Sequence, residues 1–433
     1  MAQSYADRFR KIMQIIAEDY AGQPECASKD EGRQWSAALA AAEEEKTLDD
    51  QLFMRFAAEY LAAFQDPNLM LRANEEEGYQ PTTCGFSVRR FGDELFVTQV
   101  REDERFVPGD VLVLLDGKTL DEYLSHLIGN QVNGDDPERQ LWDETLTRCE
   151  RVQVRHADGT TEEVALAEFP ERSLLESLDP PTFELRTNPE TGEVAAILTF
   201  HHFVDYSALE LLQQHAQEIV TAGRVVVDVR GVSEGMIGNA YGVVALFFDL
   251  ETNLADLMGP HSVYSRYSEN NTRLRLSQLT RIGKASDVTG ALGLQEELEH
   301  VAQCEGRGFV NELEYEESLN FPPAPSHLYT FLLTDVHTRG VGEQMVAIAQ
   351  TARDRGRGRA CCVGRATRGG SDYANLLAES IDKKISLVYP MTKTAEAYHG
   401  EGILGCGLAP DAPIKFTPRE CTEDLILATA LTL

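Results

Sequence analysis

One stretch of this chain brings together side chains that could carry acid–base or nucleophilic chemistry. An apolar run that ends at Leu333 is followed at once by Asp335, His337 and Thr338, and then by Gly340. A carboxylate, an imidazole and a hydroxyl group are components of many proton relays and activated nucleophiles. Successive side chains of an extended segment point in opposite directions, so His337 and Thr338 cannot both face one pocket. The stretch indicates a candidate site, and the alternative is a hydrogen-bonded threonine at a strand end.

Other reactive side chains lie close to this stretch in the sequence. Ser371 and the neighbours Cys361 and Cys362 are candidate nucleophiles, although thiols on an apolar strand are more often buried and structural. None of the 8 cysteines forms a CxxC pair or a Cys/His spacing typical of zinc. We therefore expect no metal and no other cofactor.

Positive charge is concentrated in the same region, although the chain as a whole is acidic. Arg339, Arg365 and Arg368 form a candidate anion site, because a guanidinium group binds a carboxylate through two parallel hydrogen bonds. The alternative is a set of solvated arginines that pair with Asp and Glu from elsewhere in the chain. Further arginines lie between them in the sequence, at positions 353, 355, 357 and 359.

The hydrophobic pattern predicts the elements that would position these residues. Residues 1 to about 66 are expected to be helical, since apolar residues such as Phe9 and Ile12 recur at helical spacing. From about residue 190, predicted strands alternate with predicted helices, apart from a polar insertion at 250–325. Such alternation predicts βαβ units around a largely parallel sheet.

Between these two parts the chain changes to short strands and turns. Cys84, Gly85 and Phe86 resemble the Gly-Leu-Gly-Phe loop with which PDZ domains bind a peptide carboxylate. The segment 107–118 resembles the Gly-Asp-x-Ile-x-x-x-Asn-Gly strand and turn of the same fold. The resemblance implies a PDZ-like module whose partner is a peptide or a protein C-terminus.

The chain also resembles the tail-specific (C-terminal processing) serine peptidases. The stretch 332–343 is similar to their nucleophile turn, an apolar strand followed by Thr/Ser-Ala-Ser-Ala-Ser-Glu. Three other segments match in the expected order: 227–235 resembles Asp-Leu-Arg-Gly-Asn-Pro-Gly-Gly, 363–370 resembles Val-Gly-Glu-x-Thr-x-Gly-Lys, and 405–411 resembles Gly-Val-x-Pro-Asp. The resemblance covers roughly residues 50 to 430 and implies a crotonase-like catalytic core.

The resemblance places the catalytic positions of that family on residues that cannot perform the reaction. The nucleophilic serine corresponds to Gly340, and the lysine base of the Ser/Lys branch corresponds to Gly370. In the Ser/His/Glu branch, the histidine corresponds to Asn68 and the glutamate to Leu404. A serine peptidase needs a nucleophile and a base, and neither branch is complete. The resemblance therefore implies a pseudoenzyme, in which Ser at 340 together with Lys at 370 is expected to restore weak activity.

The backbone that would bind an oxyanion is expected to remain. Its donors would be the N–H groups of Val341, Glu234 and Gly235. A helix that begins near Gly340 also directs the positive end of its dipole to this place. The turn could thus hold a peptide carbonyl or carboxylate without attacking it.

The composition limits the partners of the protein. A formal net charge of −32 makes nucleic acid and anionic membrane surfaces unexpected partners, since binding to phosphate relies on Lys and Arg. No apolar run approaches the ~18 residues of a membrane helix, and the first twenty or so residues do not resemble a secretion signal. We therefore predict a cytoplasmic protein, and the sequence leaves its oligomeric state open.

Together these patterns predict an α/β fold in three parts: a helical N-terminal region at 1–78, a PDZ-like β-rich module at 79–175, and a crotonase-like ββα core at 176–433. The predicted function is binding of peptides or protein C-termini without cleavage by the family mechanism. Two alternatives remain open. One is an active serine-type endopeptidase with its nucleophile elsewhere, and the other is a non-peptidase enzyme on a crotonase-like fold.

Overall fold

The computed structural model of the chain describes residues 4–22, 29–44, 48–74, 82–126, 136–170, 179–188, 192–285 and 291–433. In these ranges helices and several β-sheets pack around separate hydrophobic cores, and the predicted α/β fold class is confirmed. The predicted boundaries at 78–79 and 175–176 lie outside the described residues.

The N-terminal region is helical, as the spacing of its apolar residues predicts. Phe9 and Phe53 are buried on facing helices, and their core continues into Leu387 and Tyr389 from a strand far along the chain. The helices therefore depend on that strand to bury their apolar faces. They are α1 (Tyr5–Glu18), α2 (Lys29–Glu44) and α3 (Asp50–Ala62).

A β-rich module with its own core follows the helices. Phe86, Leu95 and Trp142 are buried at its centre. Five of its strands form an antiparallel sheet in the order β3-β4-β5-β6-β7, with β3 and β7 at the edges. The chain first forms β1 (Met70–Ala73), which belongs to a different sheet and pairs with a strand far along the chain. The elements that follow in chain order are β2 (Thr82–Thr83), β3 (Phe86–Phe91), β4 (Glu94–Val100), β5 (Val111–Leu115), α4 (Leu120–His126), α5 (Asp143–Leu146), β6 (Arg151–Arg155), β7 (Thr161–Ala165) and β8 (Phe169–Pro170).

The rest of the chain alternates strands and helices. Its first elements are β9 (Thr182–Thr187), β10 (Val194–Thr199), α6 (Ser207–Gln214), α7 (Ala216–Thr221), β11 (Arg224–Asp228), α8 (Ile237–Val244), β12 (Thr252–Asn253), α9 (Leu254–Met258), β13 (His261–Tyr267), α10 (Glu269–Ala285), α11 (Ala291–Gln303), β14 (Gly308–Glu314) and β15 (Asn320–Phe321). They are followed by β16 (Tyr329–Thr334), α12 (Val341–Asp354), β17 (Cys361–Gly364), β18 (Tyr373–Ser380), β19 (Ile385–Thr394), α13 (Ala395–His399), β20 (Ala412–Pro413) and α14 (Leu425–Ala430).

The core sheet has the order β20-β17-β16-β11-β10-β9, and all its pairings are parallel except the one between β9 and β10. Its central strand β11 is buried at every position, as its run of valines predicts. Residues of α8 and α12 cover one face of the sheet, and residues of α14 cover the other. This is the βαβ arrangement that the alternation predicts.

The insertion at 250–325 contributes to a second sheet. The strand order of this sheet is β1-β19-β13-β14, and the insertion supplies β13 and β14. Strand β18 also pairs with β19. Helices α10 and α11 pack on this sheet and share the core of the N-terminal helices, through residues such as Leu279 and Val301. The insertion is therefore part of the main body of the fold, which its weak periodicity did not reveal.

Candidate functional site

The candidate site lies where three neighbouring parallel strands end. The register pairs Val227 of β11 with Leu332 of β16, and Leu333 of β16 with Val363 of β17. The turns that follow these strands therefore emerge at the same edge of the sheet. In open α/β sheets, ligands bind at this carboxyl edge.

Gly340 sits at the start of α12 with φ 54° and ψ −123°. This is the conformation of the first central residue of a type II′ turn, which glycine adopts without strain. Hydrolases expose a nucleophilic serine on a comparably strained strand-to-helix turn. Here a Cβ atom on Gly340 would lie 2.4 Å from the carbonyl oxygen of Ser233. The backbone therefore fills the space that a nucleophilic side chain would need.

The two positions that correspond to a catalytic base lie in contact with each other. The side-chain amide of Asn68 donates to the carbonyl oxygens of Gly370, at 2.8 Å, and Tyr373, at 2.9 Å. A Cβ atom on Gly370 would lie 2.7 Å from the ring of Pro67. The structure thus joins both positions, and Asn68 acts there as a donor that fixes the loop.

Arg339 connects this loop to the turn after β11. Its guanidinium group donates to the carbonyl oxygen of Pro67 at 3.0 Å and lies 3.7 Å from the carboxylate of Glu234. The side chain is partly exposed. Arg339 therefore places a guanidinium group at the edge of the pocket, close to the carboxylate of Glu234.

The carboxylate of Glu343 organises the loop that carries Gly370. Glu343 is fully buried, and it accepts hydrogen bonds from the hydroxyl of Thr367 and from the N–H groups of Gly369 and Ser371, the last two at 2.7 Å. A buried carboxylate needs such partners to offset its desolvation. The sequence motif includes this glutamate, but sequence reasoning assigned it no role.

Leu404 lies on a further loop at the same edge. Its N–H donates to the carboxylate of Asp372 at 2.8 Å, and its side chain packs partly buried near Tyr373. Burial raises the pKa of Asp372. The four positions that the sequence resemblance assigns to catalytic residues thus lie on neighbouring loops, and their side chains offer neither a nucleophile nor a base. Sequence reasoning missed Asp372, because nothing in the local pattern distinguishes it.

The other candidate nucleophiles are not poised to react. Thr338 is fully buried; its hydroxyl accepts from the N–H of Asp335 at 3.0 Å and donates to the carbonyl of Val229 at 3.2 Å. It is the hydrogen-bonded threonine that the sequence offered as the alternative. The side chain of His337 is exposed. Burial raises the pKa of Cys362, which keeps this thiol protonated at neutral pH.

The three arginines of the predicted anion site have different surroundings. Arg365 is buried and pairs with Glu420 at 2.5 Å and with Glu138 at 3.4 Å. Its charge is balanced within the protein, so Arg365 does not fit the anion role that the sequence predicts. Arg368 lies closer to the pocket, since its N–H donates to the carbonyl of Thr338 at 2.8 Å. The anion site remains a prediction for Arg339 and Arg368.

The predicted oxyanion donors have suitable surroundings. The N–H groups of Val341, Glu234 and Gly235 have no hydrogen-bond partner in the part of the chain that the structure describes. Gly235 has φ 130° and lies so close to the backbone of Phe203 that a Cβ atom would clash at 2.3 Å. Close packing of this kind fixes the turn. The backbone can therefore offer donors to a ligand at the start of α12.

The PDZ-like loop has less room for a ligand than the sequence predicts. Cys84 and Phe86 are buried, and the N–H of Gly85 donates to the hydroxyl of Thr83 at 3.2 Å. The neighbouring edge of β3 is held by Asp143, whose carboxylate accepts from the Ser87 hydroxyl at 2.7 Å and from a backbone N–H at 3.2 Å. A carboxylate of the protein itself therefore lies where a peptide is predicted to pair.

Metal-ligating clusters and membrane-spanning helices are both absent from the described residues. These contain no group of three or more His, Cys, Asp and Glu side chains placed to hold a metal ion. Within the same ranges, no helix combines the length and the apolar character that crossing a bilayer requires.

Comparisons with solved structures identify the fold. Mature CPAF complexed with lactacystin matches with a TM-score of 0.62 and 13% identity, covering 99% of this chain and 98% of that chain. Mature CPAF alone matches with a TM-score of 0.60 and 13% identity, covering 98% of this chain and 95% of the other. This chain has the CPAF fold.

The wider set of similar structures includes C-terminal processing proteases. The photosystem II D1 C-terminal processing protease matches with a TM-score of 0.41 and 13% identity, covering 96% of this chain and 94% of that protease. No protein-family model and no curated protein matches the chain. The two CPAF structures support the predicted fold at low sequence identity.

The loop that holds Asn68 predicts a pH-dependent stability. Burial raises the pKa of Asp66 from 3.8 to about 6, although hydrogen bonds from Asn68 N–H and from the Tyr20 hydroxyl at 2.7 Å oppose the shift. The folded state thus binds this proton more tightly than the unfolded state. Asp66 therefore stabilises the folded state most below pH 4, where this contribution to the free energy of unfolding is about 3 kcal/mol. The contribution is lost as the pH rises through about 6.

Urea unfolding at pH 4.5 and pH 7.5 measures this effect. We expect Asp66→Asn to be less sensitive to pH across this window than the parent protein, because the asparagine does not ionise. The difference in pH-dependent stability between the two proteins reports the contribution of Asp66 alone, since the other titrating groups are present in both. An identical pH dependence in both would contradict the prediction.

The contact between Gly340 and Ser233 predicts a cost for any side chain at this position. We expect Gly340→Ala to lower the free energy of unfolding by about 1–3 kcal/mol more than Gly356→Ala, a matched control. Gly356 also has a positive φ, 64°, but an added Cβ would meet nothing within 4 Å. Chemical denaturation of both variants measures the difference. Equal losses would mean that the Ser233 carbonyl moves aside easily.

The same contact revises one expectation from the sequence. Ser at 340 would meet the Ser233 carbonyl, and Lys at 370 would meet the ring of Pro67. We therefore no longer expect the double replacement to restore peptidase activity without movement of the backbone.

Proposed function

We propose that this protein binds peptides or protein C-termini and does not cleave them by the serine mechanism of the tail-specific peptidases. The observation that carries the proposal is the distance of 2.4 Å between the Ser233 carbonyl oxygen and the point where a Cβ on Gly340 would stand. A serine nucleophile needs that point for its side chain and needs a base beside it. The backbone carbonyl of Ser233 occupies the space for the nucleophilic side chain. Asn68 and Gly370 stand at the positions assigned to the base, and neither can accept a proton there.

The binding part of the proposal rests on the groups that remain. The N–H of Val341 lies at the N-terminus of α12, a helix of 14 residues, where the partial positive charge of the helix favours a carbonyl or carboxylate. Arg339 adds a partly exposed guanidinium group at the edge of the pocket, 3.7 Å from the carboxylate of Glu234. These groups support recognition of a polypeptide backbone or of its terminal carboxylate.

The β-rich module supplies a second argument for recognition of a C-terminus. Its edge strand β3 holds the carboxylate of Asp143 with a hydroxyl and a backbone N–H. Strand addition uses the same kind of donors for a bound peptide. Asp143 would then compete with a peptide carboxylate for this edge, and binding would require its displacement.

The first experiment tests the absence of serine-type catalysis. The purified protein should not react with a fluorophosphonate probe and should leave an unfolded protein substrate uncut, whereas an ordinary serine peptidase in the same buffer does both. The reason is that no activated hydroxyl is present at the pocket. Labelling of one residue that disappears on its replacement, for example in Ser371→Ala, would favour the active-peptidase alternative.

The second experiment tests recognition of a C-terminus. A peptide with a free carboxylate should bind at least ~10-fold more tightly than its amidated form, as one charge-assisted contact of about 1.5 kcal/mol implies. Asp143→Asn should increase affinity for the acid form only, because it removes the competing negative charge. Fluorescence anisotropy with both peptides and both proteins measures this. Equal affinities for acid and amide would exclude this mode of binding.

A further inference from the structure

A cavity of about 470 Å³ lies outside the candidate site, between the second sheet and the helices of the insertion. Its lining includes Ser265 and Tyr267 of β13, Arg275 of α10, and Glu297 of α11. A volume of this size is typical of sites that take a small ligand or a few side chains. Nothing in the peptidase-like site accounts for this cavity.

The wall of the cavity is organised by one carboxylate. Glu312 of β14 accepts from the hydroxyl groups of Ser265 and Tyr267, the latter at 2.7 Å, and lies 2.5 Å from Nε2 of His300. Burial and this carboxylate raise the pKa of Tyr267, so its hydroxyl stays protonated as a donor. The polar groups of the wall are thus fixed in place around a negative charge.

The cavity carries more negative than positive charge. Among the described residues of the lining, Glu297, Glu312 and Glu314 contribute three carboxylates, whereas Arg275 contributes one guanidinium group and His300 an imidazole. Arg275 is bound to Glu297 at 2.5 Å, so its charge is already matched. The excess of carboxylates gives the cavity a negative electrostatic potential, which favours a cationic group as the occupant.

The same strand is an open edge of the sheet. β14 is the last strand in the order β1-β19-β13-β14, and its backbone groups that point away from β13 have no partner among the described residues. The edge is exposed, with Leu313 at 54% and Tyr315 just beyond it at 68%. β14 contains no lysine or proline, the residues with which proteins commonly protect an exposed edge strand from pairing.

We propose that β14 and the cavity beside it form a second binding site, which takes an extended polypeptide segment carrying a lysine or arginine side chain. The segment pairs with the free edge of β14 through its backbone. Its basic side chain enters the cavity and meets the carboxylates of Glu312 and Glu314, which the Arg275–Glu297 ion pair leaves unmatched. This site goes beyond the proposed function, because it needs neither the Gly340 pocket nor a free C-terminus.

A second copy of this chain is a poorer occupant of the edge. Antiparallel pairing of β14 with itself about Leu313 would bring Glu312 of one copy against Glu314 of the other, and like charges across a strand pair are destabilising. The net charge of −32 adds a general repulsion between copies. A basic segment of another protein would instead be attracted to these carboxylates and to the negatively charged chain.

The test uses the full-length protein and a fluorescent octapeptide of alternating valine and threonine around one central lysine, acetylated and amidated at its ends. We expect binding that weakens with salt, and a loss of at least ~10-fold when norleucine replaces the lysine. Methylation of alternate backbone nitrogens should cause a similar loss, because it prevents strand pairing. The blocked ends separate this result from recognition of a carboxylate.

Variants locate the site. Glu314→Gln, whose side chain is 50% exposed, should weaken the lysine peptide about 10-fold and leave the norleucine peptide unchanged, because it removes a carboxylate that Arg275 does not neutralise. Leu313→Lys should weaken both peptides, because the new charge obstructs the edge. Leu185→Lys is the matched control, since Leu185 is 47% exposed on β9, the outer strand of the other sheet, and its replacement should change nothing.

Several results would overturn the proposal. No measurable binding of the lysine peptide would do so, as would equal affinity for the lysine, norleucine and methylated peptides. Unchanged binding by Leu313→Lys would show that the edge of β14 is not used. A dimer that light scattering detects and that Leu313→Lys dissociates would assign the edge to a second copy of the chain.

Discussion

The buried carboxylate of Glu343 is the interaction on which the candidate site depends. It lies in the first turn of α12 and binds one hydroxyl and two backbone N–H groups of the loop 367–371. A charge without exposure to water is stable in a fold only when such donors surround it. The loop is therefore held in one conformation, and that conformation presents the carbonyl of Gly370 to Asn68. The remaining contacts of the pocket follow from this arrangement.

The pocket combines the backbone of a hydrolase turn with side chains that cannot react. Gly340 keeps a backbone geometry in which hydrolases expose a nucleophile, but the turn after β11 has moved a carbonyl oxygen into the space beside it. Glycine tolerates this contact because it has no Cβ. A glycine at this position carries no reactive group and also permits a close approach of the two turns. Binding by backbone donors does not require either lost feature, which is why the proposed function keeps recognition and omits cleavage.

Ion pairs within the protein neutralise much of the positive charge near the pocket. Several arginines near the pocket are tied to carboxylates within the protein, as Arg365 is to Glu138 and Glu420. The segment that supplies Glu138 also supplies Arg139, whose guanidinium group donates to the carbonyls of Thr367 and Arg368. The β-rich module and the loop 367–371 are therefore joined by charged groups. The formal net charge of −32 gives the molecule a negative electrostatic potential, which is the reason that a basic segment is proposed for the edge of β14.

The sequence by itself determined the fold class, the helical N-terminal region and the order of turns at the carboxyl edge of the core sheet. These features depend on local periodicity and on short segments such as 332–343, whose residues act on their immediate neighbours. Only the tertiary structure decided that Asn68 meets Gly370, that Arg365 is neutralised, that Ser233 fills the space beside Gly340, and that the insertion completes a second sheet. Each of these contacts joins residues far apart in the chain. Their distances are set by how strands and helices pack, and a local pattern carries no record of that packing.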